Sequence, residues 1–345
     1  MSGGNFELVA IGNPLLDMQI RNGEAVLEKY NLKANDAILA EPQHLSIYQH
    51  IVDNYEVTYV AGGAAQNAAR CAQYALPPNS TAYLGCVGSD DLANQLRAAN
   101  DKEGLKSVYQ VDSSTPTGSC AVVLTGHDRS LCTNLGAAEK FDKSHLETAE
   151  AQQVIKKAKF FYMGGFFLTH GLESAKVLAH EAKARDVPFS MNLSAPFIPQ
   201  FFKAQVDEIL PFSDLVFGNE SEAEAFAESH NLGTKDLATI AQAIADFESA
   251  TPRAEKRTVV ITHGAEPTII AVKGNKETQI HQTVKINPSD IVDTNGAGDA
   301  FAGGVMAALI MGKALDQAID VGHKLGRMCI GQVGPILKFP KEQVM

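Results

Sequence analysis

Short apolar runs alternate with amphipathic stretches along much of the chain. FELVAIG (6–12), TAYLGCVG (81–88), KFFYMGGF (159–166), VPFSMNLS (187–194), DLVFGN (214–219) and RTVVITHG (257–264) are predicted to be buried strands, and several end at Gly or Asn. SDDLANQLRAAN (89–100), with a Ser/Asp cap, ESAKVLAHEAKAR (173–185), SEAEAFAESH (221–230) and LATIAQAIADFES (237–249) carry helical spacing. Strand–helix alternation predicts an α/β fold: a large, mostly parallel sheet covered by helices on both faces. Ligands of such sheets gather at the carboxyl ends of the strands, where these Gly and Asn residues fall.

Two regions break the rhythm. Residues 17–60 and about 107–135 hold strand-like pieces without a regular following helix. GSCAVVLTGHDRSLCTNLG (118–136) reads as a hairpin turning at Gly126-His127-Asp128. Together the two regions predict a small β-rich lid over the main sheet. The polar stretch 250–256 reads as a loop. At 345 residues the chain exceeds the usual single domain, which agrees with one large unit carrying an appendage.

Charge narrows the partners. Forty acidic against twenty-nine basic residues give a net charge of −11, which disfavours nucleic acid because a phosphate-backbone binder needs a basic face. The five cysteines, Cys71, Cys86, Cys120, Cys132 and Cys329, form no CxxC pair and read as buried thiols of a reducing compartment. The start, MSGGNFELVAIG, lacks the pattern of a signal peptide. The longest uncharged stretch, 300–312, is well short of the roughly 20 residues of a membrane span. The expectation is a soluble cytoplasmic protein, with the nucleus as a second compartment.

The candidate chemistry centres on DTNGAGDAF (293–301). Gly296 and Gly298 allow close backbone approach, and the helix that starts here offers unpaired N–H groups to an anion. Asp299 is then either a helix cap or a carboxylate that does chemistry beside that anion. A dinucleotide fingerprint would need a third glycine where the chain has Phe301, and no GxxxxGK[ST] occurs. Gly62-Gly63 followed by Asn67 is a second glycine turn before a helix, either a ligand approach or a tight turn. In AIGNPLLD (10–17), Asp17 could accept from two adjacent hydroxyls of a ribose or simply sit in a solvated turn. Asn219 and Glu222 fit a capping box, or an acidic group ordering water around Mg2+.

Taken together, GNPLLD, GGAAQN, GFFLT, NLSAPFI, FGNE and DTNGAGDAF resemble the ribokinase-like family of sugar and nucleoside kinases. They run in the family's order from residue 12 to residue 301, covering nearly the whole chain. NPLLD, NLSAPFI and Asn295 point to the branch that phosphorylates adenosine. Ala64 departs from the Ser often found after the glycine pair, which puts one polar contact in doubt.

The resemblance implies ATP as phosphate donor, adenosine as acceptor, Mg2+ on the ATP phosphates and a monomeric enzyme. It implies that Asp299 takes the proton of the 5′-hydroxyl while Gly296, Ala297 and Gly298 stabilise charge on the transferred phosphoryl group. Asn13, Asp17, Gly63 and Asn67 would hold the ribose, Cys120, Leu135, Phe167 and Phe197 would enclose the purine, and Gly62 and Asn295 would also border the substrate. Asn219, Thr262, Gly264 and His323 would border the ATP, with Glu222 and Asn219 reaching Mg2+ through water. Arg129 at the hairpin would swing onto the phosphates on lid closure, or stay in solvent. A satisfied helix histidine is the other reading of His323. The nearest rival is a kinase of another nucleoside or of a free sugar in the same family; an NAD-dependent oxidoreductase and a non-catalytic nucleoside binder are rivals of other classes, both disfavoured by the residues at 296–301.

Overall fold

The computed structural model describes residues 6–34, 36–126 and 128–345. His127 of the expected hairpin turn, and the first five residues of the start read for a signal peptide, lie outside them. Among the described residues, fourteen strands form two sheets. They are β1 (Leu8–Ile11), β2 (Leu15–Arg21), β3 (Ala37–Leu39), β4 (Thr58–Gly62), β5 (Thr81–Val87), β6 (Lys106–Val111) and β7 (Gly118–Thr125). After the hairpin come β8 (Asp128–Asn134), β9 (Phe160–Gly164), β10 (Phe189–Asn192), β11 (Leu215–Asn219), β12 (Thr258–His263), β13 (Glu266–Val272) and β14 (Gln279–His281).

Nine strands make the large sheet in the order β14-β13-β12-β11-β10-β9-β1-β5-β6. It is parallel from β12 to β6, and the two edge strands β13 and β14 pair antiparallel. Both faces are buried, and alternation along single strands shows it. Val9 and Ile11 of β1, like Phe161 and Met163 of β9, join the core under the helices Leu172–Arg185, Glu220–Ser229 and Leu237–Ala245. Leu8, Ala10, Phe160 and Tyr162 face the opposite core, under the helices Ala64–Ala75, Ala297–Ile310 and Leu315–Ile330. From β1 the chain steps outward to β5 and β6, then returns to the other side of β1 with β9. The strand order therefore reverses between β1 and β9, and a crevice opens at their carboxyl ends.

The five-stranded second sheet has the order β3-β8-β7-β2-β4. β7 and β8 pair as the expected hairpin. Two differences from the sequence reading stand out. β6, expected in the small unit, belongs to the large sheet beside β5; Val108 and Tyr109 bury into its two opposite cores. Residues 17–60, read as lacking regular helices, contain helices Glu24–Tyr30 and Ile47–Asn54. Val26 with Tyr30, and Ile47 with Ile51, face Met18, Ile20, Ala121 and Val123 in a separate small core. That i, i+4 spacing was the signal in the sequence. The fourth helix read from the sequence stops at Ala245, short of the expected 249. Fully buried Arg257 ends it by donating to the carbonyls of Ala245 at 3.1 Å and of Phe247 and Glu248 at 2.9 Å. No helix among the described residues is long and apolar enough to cross a membrane.

Candidate active site

The small sheet lies over the crevice. Because Met18 and Ile20 of β2 point into the small core, Asp17 and Gln19 point the other way, toward the large sheet. Asn13 follows directly on β1, and its Oδ1 lies 2.9 Å from His170 Nε2. The glycine pair gives these two residues room. A Cβ at Gly62 would lie 2.2 Å from the Asp17 carboxylate, and one at Gly63, where φ is +90°, would lie 2.1 Å from the Asn13 carbonyl. Gly63 also opens the helix that carries Asn67. Thus Asn13, Asp17, Gly62, Gly63 and Asn67 converge from three elements.

Asn67 joins them to the second glycine turn by donating from Nδ2 to Asp299 Oδ2 at 3.0 Å. The cap reading of Asp299 fails here. The residue that caps the helix Ala297–Ile310 is Gly296, in a left-handed conformation (φ 76°), and Asp299 sits within the first turn. Its carboxylate faces Asn67 instead of the helix amides. The Ala297 N–H donates to the Thr294 carbonyl at 3.3 Å, so that amide is committed within the turn. The N–H groups of Gly296, Gly298 and Asp299 make no hydrogen bond among the described residues. Gly298 is exposed, with nothing within 4 Å of its Cβ position. Uncommitted amides at a helix start, beside an open glycine, offer hydrogen-bond donors to an anion, with a carboxylate next to them. Asp293 holds the turn by accepting from the amides of Asn295 and Gly334, each at 2.8 Å.

Arg129 reaches this turn from the hairpin and is not a solvated residue. Its Nη1 donates to the Thr294 hydroxyl at 3.3 Å, and its Nε is buried without a partner among the described residues. Electrostatics follow from enclosure. Burial lifts the Asp17 carboxyl to about 7, the Asp299 charge adding and Arg70 opposing. Asp299 opens partly to the crevice, yet burial raises it to about 6 against the stabilising Asn67 bond and the Arg129 charge. A carboxylate poised near neutrality suits proton abstraction from a hydroxyl.

The remaining expected residues divide into two groups. Leu135 is buried against Leu15 and Ala138, and Cys120 beside Val122 and Leu124 on the crevice side of β7. The Cys120 thiol accepts from the Thr133 hydroxyl at 3.2 Å. Phe197 is partly exposed and faces Phe166, ring centroids 5.9 Å apart. Phe167 has no exposed surface: its ring meets Phe141 and His170 edge-on inside the main core, so purine contact requires that ring or its loop to move. Asn219, Thr262, Gly264 and His323 form the second group, toward the β11–β13 edge. Asn219 pairs with Thr262 across β11 and β12, and Gly264 (φ 52°) makes the following turn. His323 is satisfied by Thr268 at 3.1 Å, stacks on His281 and stays neutral, burial lowering it to about 4.

Asn219 and Glu222 form the capping box read from their spacing. The Glu222 amide donates to Asn219 Oδ1 at 2.9 Å, and both Glu222 oxygens accept from Asn219 at 3.0 Å. Burial lifts Glu222 to about 7. Among the described residues no three His, Cys, Asp or Glu side chains cluster to hold a metal. The five cysteines are buried, unpaired thiols.

Sequence reasoning missed Arg70. Buried behind Asp17, it donates to Glu103 at 3.0 and 2.5 Å and to the Ala61 carbonyl at 2.8 Å. It is the one charged residue of its helix and stands three residues after Asn67, a face-sharing position that could have exposed it. Glu103, thirty-three residues away, gave no such sign.

Residues 25–342 match the family described as pfkB family carbohydrate kinase. The chain is 51% identical to adenosine kinase of Schizophyllum commune, with 99% of each chain covered. It is 43% identical to adenosine kinase of Saccharomyces cerevisiae, with 98% of each covered. Its fold matches Anopheles gambiae adenosine kinase in complex with P1,P4-di(adenosine-5) tetraphosphate, at TM-score 0.91 and 42% identity over 94% of this chain and 95% of that one. Schistosoma mansoni adenosine kinase in complex with adenosine and AMP matches at TM-score 0.91 and 33% identity, over 97% and 98%.

Proposed function

We propose that this chain, which belongs to the pfkB family of carbohydrate kinases, is an adenosine kinase that transfers the γ-phosphoryl group of ATP to the 5′-hydroxyl of adenosine, giving ADP and AMP. One observation carries the reading: the Asp299 carboxylate, held by Asn67, stands beside the uncommitted amides of its own helix start. Asp17 accepts from the 2′- and 3′-hydroxyls and Asn67 orients the ribose edge, so the 5′-oxygen is presented to Asp299. Asp299 removes its proton as that oxygen attacks phosphorus. The amides of Gly296, Gly298 and Asp299, with Arg129, receive the negative charge spread over the phosphoryl oxygens. Phosphoryl transfer asks a protein mainly for such alignment and fixed dipoles.

The donor lies toward the β11–β13 edge, bordered by Thr262, Gly264 and His323, with its phosphates directed at the glycine turn. Magnesium supplies charge neutralisation on those phosphates when bound. The residues fit an outer-sphere role: no dedicated cage exists among the described residues, and Glu222 keeps lone pairs on both oxygens for water donors. Making AMP from a preformed nucleoside is purine salvage, which suits a monomeric enzyme of the cytoplasm, with the nucleus as a second compartment.

The test is ATP-dependent formation of AMP from adenosine, compared with inosine, guanosine and ribose as acceptors. Asp299→Asn should bind adenosine normally and lose about 10²–10⁴-fold in turnover. Wild-type protein that turns over ribose but not adenosine would refute the substrate, and near-native turnover in a folded Asp299→Asn would refute the base.

A further inference from the structure

Gln19 is the least satisfied buried side chain near the site. It is 2% exposed, and neither Oε1 nor Nε2 has a hydrogen-bond partner among the described residues. A buried amide left unpaired on both atoms is destabilising, and native proteins seldom keep one without a function. Its place in the fold supplies one. Gln19 lies two residues beyond Asp17 on the same face of β2, and it meets the C-terminal loop of the large unit at Gly334. A Cβ on Gly334 would come within 3.0 Å of Nε2, 3.5 Å of Oε1 and 3.4 Å of the neighbouring Val60 side chain.

Gly334 in turn is tied to the anion turn. Its N–H donates to Asp293, whose other oxygen accepts from Asn295, the residue before Gly296. Pro335 packs over Gly296, with 2.4 Å from its Cβ to the position a Cβ would take there. Farther along, the same segment is strapped to the Asn67 helix. The Tyr74 hydroxyl donates to the Lys338 carbonyl at 2.9 Å and accepts from the Glu342 amide at 2.7 Å. The small sheet thus reaches the turn by two routes: directly, through Arg129 and Thr294, and indirectly, through Gln19, Gly334 and Asp293.

We propose that Gln19 is a positioning residue: when nucleoside seats the small sheet, its carboxamide bonds the main chain of the Gly334 loop and thereby fixes the amides of the Gly296 turn for transfer. The proposal rests on the kinase reading above. In the unliganded protein the amide stays unpaired and lowers stability; in the reacting complex it is paired.

The opposed signs make the test. Gln19→Met keeps length and volume and removes both polar atoms. The expected result is an unliganded Tm equal to or above wild type, adenosine affinity within twofold, and kcat reduced about tenfold, the size of one hydrogen bond lost in the transition state. Hydrogen exchange adds a second readout: in wild type, adenosine should protect the amides of 331–334 and 336, and in Gln19→Met that gain should disappear. A lower Tm in the variant would mark Gln19 as ordinary packing and overturn the proposal, as would unchanged kcat or protection that still rises with adenosine. Absence of AMP formation in wild type would instead defeat the kinase reading, so the two failures are distinct.

Discussion

Replacing Asp17 by Asn should stabilise the unliganded protein while spoiling its nucleoside site. Burial lifts the Asp17 carboxyl from 3.8 to about 7, with the Asp299 charge as the second cause. The folded state therefore holds this proton more tightly than the unfolded chain does. Below about pH 4 both states are protonated and the group costs nothing; between about pH 4 and 7 only the unfolded chain releases the proton, so stability falls, and above 7 the folded protein is ionised too and the cost is complete. At about 1.4 kcal/mol per pH unit between the two values, the full cost by pH 8 is about 4 kcal/mol. The side chain is 6% exposed, so solvent screens little of this. Unfolding 345 residues at roughly 2.1 cal/mol/K each gives about 0.7 kcal/mol/K, and hence a Tm gain of about 6 °C. The assay is thermal unfolding of both proteins at pH 4, 6 and 8 without ligand. The gap should be smallest at pH 4 and widest at pH 8. In parallel, kcat/KM for adenosine should fall toward that for 2′-deoxyadenosine, because the carboxylate proposed to accept from both ribose hydroxyls is gone. A variant less stable than wild type at pH 8, or a gap that ignores pH, refutes the reasoning about burial. An undiminished preference for adenosine refutes the assignment of the diol.

Gly62→Ala should leave the fold intact and raise KM for adenosine at least about tenfold, because the new methyl group takes the place of the Asp17 carboxylate; a normal KM in steady-state assays would show that Asp17 need not stay there. Arg257→Met should lower stability by about 3–5 kcal/mol in urea unfolding, since it removes a fully buried donor from the carbonyls of Leu210, Ser213, Ala245, Phe247 and Glu248; a change below about 1 kcal/mol would contradict that role. Arg129→Ala should lower kcat about 10²-fold or more with adenosine binding nearly unchanged, and in wild type adenosine should slow hydrogen exchange across the hairpin strands β7 and β8. Equal exchange with and without adenosine, together with normal kcat in the variant, would show that the small sheet does not close on nucleoside.

Local patterns sufficed for much of this protein. Each large-sheet strand read from the sequence appears, because apolar runs bounded by Gly or Asn have one low-energy use in an α/β chain. The Asn219–Glu222 box was legible for the same reason: both partners lie within one helical turn. The glycine turns could be found as motifs, but their residues alone left a ligand site and a tight turn both open, and only the family resemblance gave them a purpose. Only the tertiary structure put the Asp17 carboxylate over Gly62, placed Gly296 as the cap that frees Asp299, and set Asn67 against a carboxylate 232 residues away. The ion pair of Arg70 with Glu103, the Arg257 staple and the unpaired Gln19 were equally silent. Periodicity and capping are short-range rules that depend on neighbours along the chain. The shifted acidities of Asp17 and Asp299 arise from excluded water and from charges on other elements, quantities that exist only once distant segments have packed together.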